Sequence, residues 1–360
     1  MRTLSAAILV FLAACTNSTQ EGESASKQPS TNVSLQPPAA GRGFQYTTGE
    51  FEVAPGLDLQ QCFFFQVPGN AGEEIFVNRI EVAQNEGTHH MNIFRVRTIT
   101  PGPNGLGPEG GLVQRSENGL GACFDDSNWA DWPLVINSQT GGYIEWNLPG
   151  GVAHKFTGGE WIMLQSHYVN AATQETPGKG NVFVNFHFVP RTEVQHEVGT
   201  LFASKQSIRI CQHDQRSVYH GTCQIPSDQP VHIIGANGHF HSRGTRFEMY
   251  AWDGVSPSPP ADSERFYVSE DWKDPPMLRS PELDHVVPAG GGIWYTCEYQ
   301  WREPTDGITC DKLNEEDTKE LGTPPEAYDC CYTFGGPVDW AEHCNVFAYY
   351  YPASNYVHCY

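Results

Sequence analysis

Positive charge is scarce in this chain. Its 360 residues carry 21 Lys and Arg against 42 Asp and Glu, a formal net charge of −21. So acidic a protein repels phosphate backbones and anionic headgroups, which argues against nucleic acid and against a polybasic membrane contact. Long apolar runs are missing as well. The hydrophobic stretch in "MRTLSAAILVFLAAC" is too short for a transmembrane helix. Sustained 3.6-residue periodicity is absent. The best short helix candidate, "KLNEEDTKELG", is so acidic that it predicts a solvated surface insertion. No CxxC pair occurs among the 11 cysteines, which argues against a zinc ribbon or a thioredoxin-type site. With five methionines and no Met-rich or His-rich flexible tract, the chain also lacks the usual equipment of a metal carrier.

Turn formers and aromatics are plentiful: 36 Gly, 26 Pro and 12% Phe, Trp and Tyr. That is the composition of a β protein. Segments bounded by Gly, Pro and Asn read as strands, among them "EIFVNRIEV", "HHMNIFRVR", "EWIMLQSHYV", "VHIIGANGHFH", "TRFEMYAWDG", "GIWYTCEYQW" and "CNVFAYYYP". In "NVFVNFHF", Val182, Val184, Phe186 and Phe188 share one face and Phe183, Asn185 and His187 the other, the alternation of a half-buried strand. The polar segment "VPRTEVQHEVG" divides two strand clusters. The expected fold is all-β and disulfide-rich, with two antiparallel, jelly-roll-like β-sandwich domains in tandem at 41–195 and 196–360.

At the N-terminus, Leu12-Ala13-Ala14-Cys15 resembles a bacterial lipobox. On that reading residues 1–14 are a signal peptide and Cys15 is the lipidated first residue. Residues 15–40, polar and rich in Ser, Thr and Pro, form a disordered tether. Thr16 rather than Asp after the cysteine suggests sorting to the outer membrane. The chain is therefore expected in the bacterial cell envelope, outside the cytoplasm, touching membrane only through its lipid anchor. Without Cys15 ten cysteines remain, an even number that favours disulfides in an exported chain. The adjacent Cys330 and Cys331 must tie to different places.

Three placements stand out among the 14 histidines. In "GHFHSRG", His239 and His241 are two apart, so on a strand they point the same way and make a ready chelate. In "GTHHMNIF", His89 and His90 are adjacent. They reach one ion together only at a strand end or bulge, and Gly87 just before them suits such a distortion. In "LQSHYVN", His167 shares a strand face with Trp161, Met163 and Gln165. Each alone also reads as an ordinary strand histidine.

Taken in order, these pieces resemble the copper type II, ascorbate-dependent monooxygenase family, which includes peptidylglycine α-hydroxylating monooxygenase and dopamine β-monooxygenase. The matching stretches are "HHM", "LQSHY", "VHIIGANGHFH", "YTCEY" and "EHCNVFAYYYP", spaced much as in that family over most of the chain beyond residue 45. The resemblance implies two β-sandwich domains with one copper each, two per chain. His89, His90 and His167 would hold the electron-donating copper. His239 and His241 would supply two ligands of the copper where O2 and substrate react. It also implies the disulfides Cys62–Cys123, Cys223–Cys359 and Cys297–Cys344, and leaves Cys211, Cys310, Cys330 and Cys331 unassigned. His232 matches a family histidine as well.

Where that family has a methionine as third ligand, just before a cysteine, this chain has His343 before Cys344. Imidazole is harder than thioether and favours Cu(II), and three imidazoles also suit zinc. Met277 remains the alternative third ligand. Met249 is eight residues beyond His241, about 26 Å along an extended strand and out of reach. Peptide-amidating members grip a carboxylate with Arg, Asn and Tyr. The corresponding residues here are Asn237, Asn345 and Phe347, which argues against a glycine-extended peptide. Asn237 and Asn345 would instead hydrogen-bond a neutral polar small molecule. The expected activity is hydroxylation of a C–H bond with O2 and ascorbate or another one-electron reductant. The alternative is a copper-binding lipoprotein that stores or senses the metal. Replacing the lipobox cysteine, Cys15→Ala, should move the protein from the membrane to the soluble fraction. Unchanged fractionation in cells expressing the variant would contradict the anchor.

Overall fold

A computed structural model describes residues 33–360 apart from 86, 98–113, 118–131, 140–141, 171–176, 305–307, 322–329, 336–339 and 354–355. The signal peptide, Cys15, most of the tether and Cys123 lie outside the described residues. The protein is all-β and disulfide-rich, with the single α-helix among the described residues at Cys310–Leu321. The candidate strands all form. Val182, Val184 and Phe186 are completely buried, as alternation requires. Phe188 is only half-buried because the register slips between His187 and Phe188.

Strands between residues 43 and 197 build a six-stranded sheet, a five-stranded sheet and a two-stranded ladder. Those between 199 and 359 build six-, four- and three-stranded sheets. Among the described residues no strand of one set pairs with the other. The division falls after Glu197, because His196 and Glu197 still pair with Val152 and Ala153.

Two of these sheets carry the candidate histidines. In the first half, Trp161–Val169 lies between Asp58–Gln66 and Thr88–Arg95, and Leu134–Gln139 flanks the latter. In the second half, Asn345–Tyr351 lies between Val231–His239 and Gly199–Ser204. The halves meet through these sheets. Ile234 and Tyr349 of the second half are buried in the hydrophobic cluster of the first. Tyr349 Oη donates to Asn137 Oδ1 at 3.0 Å, and Trp146 Nε1 donates to Ser280 Oγ at 3.1 Å. The Arg279 guanidinium donates to the Asn137 carbonyl.

The acidic helix departs from expectation. It is not a solvated insertion: Leu313 and Asp317 are buried. Arg209 grips Asp317 with Nε at 3.0 Å and Nη2 at 2.8 Å from Oδ2. A disulfide, Cys310–Cys330, ties the helix start to the strand that follows it, and Cys211–Cys331 ties that strand to Arg209–Cys211. Charge count alone missed this because the fork from half-buried Arg209 offsets the cost of burying the Asp317 carboxylate. Cys223–Cys359 and Cys297–Cys344 are formed, the pairs implied by the resemblance. Cys62 is also disulfide-bonded. Disulfides in this number belong to a chain that folds outside the cytoplasm. No helix among the described residues is long and apolar enough to cross a membrane.

His154 is buried against the Trp146 ring, and its Nε2 has no hydrogen-bond partner. Burial, then the charge of Arg95, lowers its pKa from 6.5 to about 3. As pH falls below about 6.5 the unfolded chain takes up a proton that the folded chain refuses. The neutral ring's contribution is full above that pH and is lost progressively towards pH 3. At pH 4.5 the loss is on the order of 2–3 kcal/mol. His154→Phe should therefore narrow the gap between urea midpoints at pH 7 and pH 4.5. An identical gap in both proteins would refute this account.

Candidate metal centre

The first histidine group is assembled by one irregular strand pair. Thr88–Arg95 runs antiparallel to Trp161–Val169, with His90 opposite His167. The next pairing is Thr88 with Tyr168, so His89 is the extra residue of a bulge. Gly87, at φ +92°, takes the chain into it. The bulge lets neighbouring histidines serve one point. Ring centroids of His89, His90 and His167 lie 4.7–5.2 Å apart, and His90 Nε2 is 3.1 Å from His167 Nδ1. Two nitrogens bound to one ion at about 2.0–2.1 Å would be separated by about 3.3 Å in a tetrahedral site.

Carboxamides continue along the same strand face. Asn92 Nδ2 lies 3.4 Å from His90 Nδ1 and donates to Gln165 Oε1 at 2.8 Å, while Gln165 Nε2 donates to Gln60 Oε1 at 3.3 Å. Asn92 and Gln165 are each two residues from a candidate ligand histidine; alternation places Gln165 beside His167 in the sequence and could have flagged Asn92 beside His90 in the same way.

The second group forms where Val231–His239 pairs with Asn345–Tyr351. His239 lies opposite Asn345, which brings His241 and His343 to the same end of the ladder. Close packing there needs Gly238, since a Cβ would come within 2.5 Å of the Phe247 ring. Centroids of His239, His241 and His343 are 4.3–5.2 Å apart. His343 is held by the Cys297–Cys344 disulfide beside it and by Tyr299 Oη, which donates to the His343 carbonyl at 2.5 Å. The His241 Nδ1–H donates to the Ala341 carbonyl at 2.8 Å, which leaves Nε2 free to ligate. His343 Nδ1 is buried with no partner, as a ligand nitrogen without its ion would be. Phe334 lies 5.0 Å from the His343 ring.

In each group the candidate ligand atoms lie within 4.8 Å of one another, so each can hold a metal ion. A third cluster, Cys211, His213 and Asp214, cannot use its thiolate because Cys211 is in a disulfide. Burial, then the other histidines of its own group, lowers His90 and His343 well below the ordinary imidazole pKa; His239 of the other group adds to the effect on His90. His239 is lowered well below it by burial, then by His241, His89 and His167. His241 is lowered to about 4, chiefly by burial. The two groups thus feel each other across the junction between the halves. These four rings are neutral at pH 7, the form that ligates.

Sequence reasoning missed Glu342. Its carboxylate accepts the backbone N–H of His241 at 2.9 Å and of Arg243 at 2.8 Å. Burial pushes it up to about 8, against backbone N–H groups of Arg243, His241 and His343 and the Arg243 charge, all of which hold it down. The carboxamides of Asn237 and Asn345 are engaged within the protein. Asn237 donates to the Pro276 carbonyl at 3.2 Å and accepts from Asn137 at 3.4 Å; Asn345 accepts from Ser204 Oγ at 2.7 Å. Met249 is buried in the second-half core, and Met277 Sδ takes an N–H from Asn137 at 3.7 Å. His232 pairs with Asp284 at 2.6 Å and stacks on Tyr351.

No protein-family model matches this sequence, and no curated protein matches it. Among solved structures, a putative secreted protein from Eubacterium rectale is 11% identical, with 81% of this chain and 69% of that one covered at a TM-score of 0.21. The infectious bursal disease virus VP2 subviral particle is 10% identical, with 90% and 81% covered at 0.19.

Titration with Cu2+ or Zn2+ should load both groups in the wild type, and His343→Ala should empty one while the other fills as before. Equal stoichiometry in the two proteins would remove His343 from the ligand set.

Proposed function

We propose that this chain is a copper-dependent monooxygenase that hydroxylates a C–H bond of a small neutral substrate, using O2 and ascorbate or a similar one-electron reductant. The observation that carries this reading is the convergence of two histidine triads, drawn from four distant sequence segments, at the junction of the two halves. Their donor sets fit copper: three imidazoles each, with His343 Nδ1 buried and unpartnered and the second nitrogen of His241 oriented by a carbonyl. When bound, copper supplies one-electron redox chemistry and O2 activation.

The chain's own residues do the rest. His89, His90 and His167 hold the electron-donating site, and the carboxamides of Asn92 and Gln165 orient His90 beside it. His239, His241 and His343 hold the reaction site. Phe334 offers an apolar wall next to His343. Asn237 stands where carboxylate-binding relatives have arginine, so the charged grip on a peptide carboxylate is missing. The reading takes the two halves, divided at about residue 196, as two β-sandwich domains, anchored at the outer membrane through lipidated Cys15.

His343 in place of methionine favours a second reading, a copper store or sensor without oxygenase activity, because three imidazoles stabilise Cu(II) and oppose its reduction. One comparison separates the two. Copper-loaded protein given ascorbate should consume O2 and hydroxylate members of a C–H substrate panel, and His90→Ala should slow turnover at least tenfold. Two tightly bound coppers, no O2 uptake with any reductant and no product would leave the storage reading. X-ray absorption should show nitrogen-only coordination in the wild type and a sulfur scatterer in His343→Met.

A further inference from the structure

Behind the second triad lies a charged cluster that the proposed chemistry does not use. Glu342 is fully buried, and so is most of Arg243. The carboxylate joins two separate chain segments. Its Oε2 accepts the His241 N–H at 2.9 Å and its Oε1 the Arg243 N–H at 2.8 Å, both beyond the end of the Val231–His239 strand. Its own backbone adjoins that of His343 in the chain. One residue therefore links two candidate ligands from distant segments, His241 through a side-chain hydrogen bond and His343 as its neighbour in the chain. Its cationic neighbour is held off: Arg243 Nη1 is 4.0 Å from Oε1, and the guanidinium carbon lies 3.9 Å over the Tyr332 ring. Tyr332 is fixed in turn by donating to the Arg302 carbonyl at 3.0 Å.

This arrangement is costly for packing alone. A buried acid needs compensation, and a glutamine or an apolar side chain would fill the volume with less desolvation. A carboxylate behind three neutral imidazoles is what a cation site gains from, because a bound divalent ion favours its ionised form, which supplies the charge the ligands lack.

We propose that Glu342 is the positioning residue of the His239, His241 and His343 site: it sets the backbone geometry of His241 and His343 and biases the site towards a divalent over a monovalent ion. Arg243 works against it, and its stacking on Tyr332 limits how much of the carboxylate's charge it cancels. The inference rests on the copper reading of that triad.

The test measures Cu2+ and Cu+ affinities separately, by competition with chelators of each, in the wild type and Glu342→Gln, with near-UV circular dichroism as the check on folding. Glu342→Gln should lose about 10–100-fold in Cu2+ affinity at the second triad. It should lose much less for Cu+ and leave the first triad unchanged. Equal loss for both ions would mean a purely structural role and would overturn the charge bias; no loss would overturn the proposal entirely. If Glu342→Gln does not fold, Arg243→Met carries the test with opposite sign. It keeps the carboxylate and removes its counter-charge, so the preference for Cu2+ over Cu+ should rise, and an unchanged or lower preference refutes the idea. A wild type that binds no copper at this triad while its first triad fills would instead defeat the functional reading on which the proposal stands.

Discussion

The antiparallel ladder between Val231–His239 and Asn345–Tyr351 is the contact on which the site depends. It joins segments more than a hundred residues apart in sequence and sets His239 opposite Asn345. With that register, His241 and His343 fall at one end of the pair, and a shift by one residue would send alternate side chains to the other face. The Cys297–Cys344 disulfide holds the ladder on the Gly292–Gln300 strand. Tyr349, further along the same strand, reaches into the first half. One pairing therefore builds the second triad and docks the sheet that carries it against its neighbour.

The junction between the halves is closed by both apolar and polar contacts. Ile234 and Tyr349 bury apolar surface in the first-half core, and Asn137 accepts the Tyr349 hydroxyl while donating to Asn237. A carboxamide with partners on both sides of a junction is costly to remove, since each group left behind would be buried without a hydrogen bond. The lowering of His90 by His239, and of His239 by His89 and His167, follows from this closeness.

Much of this is legible in the sequence. The strands announce themselves by alternation and turn residues, and the triads are readable as HxH, HH and a lone histidine in recurring order. The HH pair even carries its own condition, a bulge, which the extra residue at His89 satisfies. What escapes has physical reasons. Asp317 looks like surface charge because its partner, Arg209, lies far away in sequence. Glu342 looks like the polar end of a strand, since only folding brings the N–H groups of His241 and Arg243 to it. The partners of Asn237 and Asn345 within the protein also escape the sequence. Asn237 meets Asn137 and the Pro276 carbonyl, and Asn345 meets Ser204, partners set by register between distant segments.

The vicinal cysteines pose a problem of assembly. Cys330 is bonded to Cys310 and Cys331 to Cys211, so one peptide unit separates two bridges that lead to different elements. Exchanging the two partners would keep every sulfur oxidised yet shift the strand by one residue, turning Tyr332 and Phe334 to the wrong faces. Such an isomer passes any count of free thiols while losing the ring beneath Arg243 and the wall beside His343. Maturation of this protein is then a matter of proofreading connectivity, and a compartment able to reshuffle disulfides becomes as necessary to the two histidine groups as the strands that carry them.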